Sequence, residues 1–160
     1  MEDIWNITAL VVSVLSVLLS LYALRQATTK NTSDMYLFFI SQYAKEDMKL
    51  ALRKLKDIKR GVYRLEQWES DMKNNLPKAF EYDEARRLVK YVYDTLAYMK
   101  LEKLIEARFV RLICLKKGAW LYLDTVEAME KFFDSGYDKK PYAVIRDVCE
   151  NLRKEGCCPS

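Results

Sequence analysis

The sequence predicts an all-α protein in which one N-terminal transmembrane helix is followed by a compact helical bundle of about five to six helices. Three observations carry that expectation. The 160 residues include only four glycines and three prolines, too few for a β-sandwich that turns roughly every 8–12 residues. The apolar positions recur at three and four residues, and alternation of period two is nowhere sustained. Finally, an uncharged run from Ile4 to Leu24 reaches about 30 Å as a helix, the thickness of a bilayer's hydrocarbon core.

The anchor comes first. Trp5 and Tyr22 stand near the two ends of the run, where amphipathic rings favour the headgroup layer. A cleaved signal peptide would want a basic start, a shorter apolar stretch and a small-residue cleavage site. Glu2 and Asp3 precede this run instead, and Tyr22-Ala23-Leu24-Arg25-Gln26-Ala27 is a poor cleavage site. Arg25 and Lys30 follow the span and no basic side chain precedes it. The positive-inside rule then places the N-terminus outside and the remainder in the cytoplasm. Along one face Ala9, Ser13, Ser16, Ser20 and Ala23 recur in heptad steps, with Ala27 next in register. Small residues let helices approach closely in lipid, so this stripe is a candidate homo-oligomer or partner seam. The alternative is that each hydroxyl bonds its own helix at the i−4 carbonyl.

Residues 1–30 are thus read as the anchor, with its span at 4–24. Residues 31–160 are read as a cytoplasmic helical domain with a short tail from about 156. Asn31-Thr32-Ser33-Asp34 is a polar break, and Ser33 or Asp34 suits the N-cap of a first short helix carrying Tyr36 to Tyr43. Met48, Ala51, Leu52, Leu55 and Ile58 give a second helix. Residues 62–82 read as a short helix around Trp68 and a turn at Leu76-Pro77. Ala85, Leu88, Val89, Val92, Leu96 and Met99 predict a long helix from Asp83 to Leu101. Phe109, Leu112 and Ile113 lead to Gly118; Trp120 to Phe132 form a further helix ending before Gly136. Pro141 suits the first turn of a last helix through Leu152. Gly61, Gly118, Gly136 and Gly156 each follow a helix-like segment, the place for a left-handed C′ residue.

Composition closes off much chemistry. The chain has no histidine, which removes imidazole acid–base catalysis and His-ligated metal or haem. Neither phosphate-cradling glycine motif is present. Cys114, Cys149, Cys157 and Cys158 contain no C-x-x-C pair; Cys114 is read as a core residue, and the last two stand in a tail that lacks a standard prenylation box. Glu81, Asp83 and Glu84 are read as caps before the long helix, and Tyr91, Tyr93 and Tyr98 as packing residues. No catalytic, cofactor-binding or metal-ligating set is expected.

The remaining chemical signal is charge. Net charge is +4, from 27 basic and 23 acidic residues, too mild for a dedicated nucleic-acid binder, and no nucleic acid is expected. Lys45, Lys49, Arg53, Lys56 and Arg60 follow one solvent-facing side of the second helix, with Lys54 and Lys59 outside the stripe. Three readings compete: a solvated face with pairs such as Glu46 to Lys49, contact with anionic lipid, and another anionic partner.

The layout of one span, a polar break and a helix reading Asp83-Glu84-Ala85-Arg86-Arg87-Leu88-Val89-Lys90-Tyr91-Val92-Tyr93, followed by a segment like Trp120 to Phe133, resembles small single-span prokaryotic membrane proteins of unassigned function. That resemblance implies a membrane-anchored cytoplasmic helical domain and brings no catalytic residue with it. The expected role is a non-enzymatic binding or adaptor module on the bilayer, with an unidentified protein partner. The alternative is a membrane-active effector or pore-forming toxin assembled through the serine-bearing helix, and a tethered enzyme is disfavoured.

Overall fold

The computed structural model describes residues 15–23, 33–133 and 137–157, and the chain divides into two compact units, Met1–Tyr36 and Leu37–Ser160. Among the described residues there are helices and no strands, and no helix is long and apolar enough to cross a membrane. Most of the expected span, residues 4–14 and 24, lies outside the described residues.

In the first unit residues 15–23 are helical and every side chain is exposed, including Leu15, Val17, Leu18, Leu19, Leu21 and Tyr22. The Ser20 hydroxyl donates to the Ser16 carbonyl at 2.8 Å, the i−4 bond expected of a hydroxyl without a polar neighbour. Of the small-residue stripe, Ser16, Ser20 and Ala23 are in this helix, while Ala9, Ser13 and Ala27 lie outside the described residues.

The second unit is built from helices in sequence. Helix α1 covers 33–44, of which 37–44 belong to this unit. It is followed by α2 (Glu46–Lys59), α3 (Leu65–Lys73), α4 (Pro77–Leu101), α5 (Ala107–Cys114), α6 (Lys117–Leu121), α7 (Glu127–Phe133) and α8 (Lys139–Lys154). A single π-helical turn, Tyr122–Val126, joins α6 to α7 in one continuous rod. Counting that rod once, this unit and its leading helix have seven helices among the described residues, where five to six were expected. The 25-residue α4 is the central element, in contact with α2, α3, α8 and the π turn.

Helix ends explain several departures from the sequence reading. Gly61 and Gly156 have φ of +73° and +72°. Each donates its N–H three residues back, and the next residue donates five residues back, the Schellman arrangement. Asn75 and Lys103 close α3 and α4 the same way at φ 53° and 56°, without the glycine that would have marked them. Gly118 is different. It is the second residue of α6, not a C′ residue, and a Cβ there would collide with the Tyr43 hydroxyl and meet the Tyr93 hydroxyl at 2.9 Å. Its role is close approach. Helix α4 starts at Pro77, six residues before the expected Asp83, because proline at N1 lacks only an N–H that would be unpaired anyway.

The core combines aliphatic side chains with a group of buried aromatic rings. Leu55, Val89, Leu96, Ile113, Cys114, Val126, Met129 and Ile145 are fully buried, each contributing about 1.5–3 kcal/mol of burial free energy where the side chain is large. Trp68 is also fully buried and donates to the Ala79 carbonyl at 3.2 Å, with Phe132 edge-on at 5.4 Å. It therefore ties α3 to the start of α4 and the end of α7. Tyr93, Tyr122 and Tyr142 stack in a column, Tyr122 on Tyr142 at 4.5 Å with planes 9° apart. Tyr43 extends that column through its hydroxyl to Tyr93. Tyr91 and Tyr98 do not join it; both are exposed.

Candidate anion-binding cleft

Two charged regions of the second unit could carry chemistry, and their electrostatics differ. One is internal. Asp83, expected as a helix cap, lies instead inside α4 and is buried. It accepts from Arg86 Nε at 2.7 Å and pairs with Arg87 at 2.5 Å. Arg86, also buried, reaches across to Glu130 on α7 and lies over the Phe133 ring at 4.7 Å. Lys90 pairs with Asp94 at 2.5 Å, and Asp94 accepts the Tyr122 hydroxyl at the same distance. Further along, Glu127 accepts from Tyr137 and Arg146. Burial raises its carboxyl, but those two bonds outweigh it, so Glu127 lies below its ordinary 4.5. Burial and the Asp94 carboxylate push the Tyr122 hydroxyl far above its ordinary range. Every charge in this network has an opposite charge beside it. It holds α4 against the α6–α7 rod and has no cation or anion left over for a ligand.

The other region is open. A cavity of about 670 Å³ lies between α2 and α6, within the 300–1,000 Å³ typical of small-molecule sites. Its rim is cationic: Lys49, Arg53, Lys56 and Lys59 from α2, Arg60 at its C-cap, and Lys117 from α6. Leu52, Gly118, Trp120 and Leu121 form the rest of the lining. Spacing on α2 explains the rim, because positions 49, 53, 56 and 60 recur at four, three and four residues and share one helix face. The opposite face, with Met48, Ala51, Leu55 and Ile58, is buried. Leu52 stands between the two faces and is half-buried, which puts an apolar patch beside the cations.

Two of the six cations are paired. Lys49 reaches Glu46 at 3.2 Å and Lys59 reaches Asp124 at 2.5 Å. Arg53, Lys56, Arg60 and Lys117 have no acidic partner among the described residues. The Trp120 Nε1 is buried and has no acceptor among them either. Asp124 belongs to the π turn that follows the cleft wall, and such turns often mark functional sites. Arg53, Lys56 and Arg60 follow one another along one side and Lys117 stands on α6, so like charges without acidic partners repel one another and the cleft is poised to gain from an anion.

The stripe read from the sequence is thus mostly, but not wholly, this rim. Lys49, Arg53, Lys56 and Arg60 come together there. Lys45 does not line the cleft; it is the extended residue between α1 and α2. Lys59, placed outside the stripe, belongs to the rim, while Lys54 turns away to Glu81 at 2.9 Å. Lys117 is not legible from the sequence, where Gly118 reads as a helix end and Lys116 and Lys117 as its basic last turn. In fact an extended residue, Lys116, breaks the chain there and a new helix begins.

The other candidates hold less. Cys114 and Cys149 are both buried, and a hydrogen bond with the Cys114 thiol holds the Cys149 pKa below the ordinary thiol value. Among the described residues no three Cys, Asp or Glu gather as metal ligands. Comparison with protein-family models, with curated proteins and with solved structures finds no match for the chain.

Proposed function

We propose that the chain is a non-enzymatic, single-span membrane protein whose helical domain is a binding module for anionic groups. The observation that carries the binding role is the α2–α6 cleft, with four cations that have no acidic partner among the described residues. The cleft sets cationic side chains beside an apolar wall, a surface suited to holding an anion.

Membrane anchoring rests on the uncharged run Ile4–Leu24 and gains support from residues 15–23, an uncharged, mostly apolar helix with every side chain exposed. Water does not tolerate such a helix alone, whereas lipid does. The basic flank Arg25 and Lys30 favours a cytoplasmic domain. There the cleft faces the compartment whose leaflet is rich in anionic lipid, worth about 1 kcal/mol per basic residue held near the surface. The Ser20 hydroxyl donates to its own helix, so among the described residues it is not evidence for the pore-forming alternative.

The test uses the full chain in neutral maltoside micelles, titrated with phosphatidylglycerol by calorimetry. Binding should saturate, weaken with salt, and weaken further in the exposed-residue double variant Arg53→Ser, Lys56→Ser. Binding indifferent to that variant would refute the cleft's role. Separately, the chain should resist alkaline extraction from membranes, and deleting residues 4–24 should release it; extraction of the intact chain would refute the anchor.

A further inference from the structure

Charge alone does not describe the cleft. Its cations are spread along α2 and its floor is apolar. Arg53 and Lys56 lie about 4.5 Å apart along the helix axis at 1.5 Å per residue, and Lys49 to Arg60 covers about 16 Å. A single phosphate or carboxylate can meet two of these side chains, not the row. Between and behind the cations stand Leu52, Trp120 and Leu121, a surface that gains nothing from a bare ion and gains from an apolar or aromatic body. Trp120, half-buried, supplies this lining with aromatic surface. Lys117 closes the row from the opposite wall.

From this juxtaposition, and resting on the reading above that the cleft binds anions, we infer that its ligand carries two or more clustered phosphate groups joined to an apolar or aromatic body. The phosphates lie along Arg53, Lys56 and Arg60, and the body lies on Leu52 and Trp120. Asp124 holds Lys59 at 2.5 Å, so Lys59 is already neutralised and contributes less than its unpaired neighbours.

Such a group can arrive on a membrane lipid or as a soluble organic phosphate, and matched probes separate the two. The full chain in neutral maltoside micelles is titrated with cardiolipin against phosphatidylglycerol at equal total phosphate, and with ATP against inorganic tripolyphosphate. The first pair varies phosphate clustering and the second varies the attached body. The expected result is that cardiolipin, ATP or both bind about tenfold more tightly than their controls, a difference of one logarithmic unit in Kd. A preference for cardiolipin assigns a lipid source, and one for ATP a soluble source. Trp120→Leu should erase the preference for ATP over tripolyphosphate while leaving tripolyphosphate unchanged. Leu52→Ser at the half-exposed rim serves the same purpose if the tryptophan variant does not fold. If all four probes bind in proportion to charge and all respond to Arg53→Ser, Lys56→Ser, the inference fails and the anion-binding reading stands. If none responds to that double variant, both fail.

Discussion

The two charged regions of the helical domain use the same side chains to opposite ends. Around Arg86 on α4, the central charges are buried and touch their opposites: Asp83 on one side, Glu130 on the other. Around Arg53 and Lys56 on α2, the charges are exposed and like-signed, with no acidic partner among the described residues. A buried charge is tolerable only when paired, since desolvation costs several kcal/mol per ion. An exposed one is solvated at little cost and stays available. Compensated charge therefore fixes how α4 meets α7, and uncompensated charge marks where something else can bind.

Breaking the comparison begins inside. Arg86→Ala leaves Asp83 and Glu130 buried with one fewer partner each, and should cost about 3–5 kcal/mol in urea unfolding of the full chain. A loss below 1 kcal/mol, the size expected of an exposed pair, would mean that the network is no more structural than a surface pair. Next is Gly118, which stands in the cleft wall and under the tyrosine column together. Gly118→Ala drives a methyl into the Tyr43 and Tyr93 hydroxyls and should cost about 1–3 kcal/mol, the range for overpacking. A stability equal to wild type would show that α1 can swing away from α6 freely.

Acid should then separate the regions. The Glu127 carboxyl lies below its ordinary 4.5, so its contribution to stability is complete above that value and lost as pH falls through the folded value. Unfolding midpoints measured from neutral pH downward should drop below pH 4.5 in the wild type. Glu127→Gln should show a shallower drop; parallel curves would remove Glu127 from the account. The smallest effect belongs to the cleft. Arg53→Ser, Lys56→Ser should change stability by no more than about 0.5 kcal/mol, as surface substitutions do, while weakening anion binding. A large destabilisation would make the stripe structural and erase the contrast.

How far these regions could be read from sequence differs for a physical reason. Residues 49, 53, 56 and 60 form a stripe because helix periodicity alone puts them on one face, so much of the cleft rim was legible. Lys59 and Lys117 were not. Which way Lys59 leans depends on Asp124 in another helix, and Lys117 reaches the rim only because α6 packs on α2. Asp83 was legible as an acid near a helix start but not as a buried ion, since its partner Arg86 is buried with it against Glu130, which lies far along the chain. The π turn at Tyr122–Val126 left no mark on the apolar spacing.

Sequence by itself determined the helical class, the apolar run at the N-terminus, the buried faces of α2 and α8, and the closing glycines of α2 and α8 at Gly61 and Gly156. These are local properties, set by spacing along one helix and by backbone freedom at one residue. Tertiary structure decided the pairing of buried charge, the close approach at Gly118, the tyrosine column and the second wall of the cleft. Each of these needs side chains from helices distant in sequence, and packing chooses which of them meet.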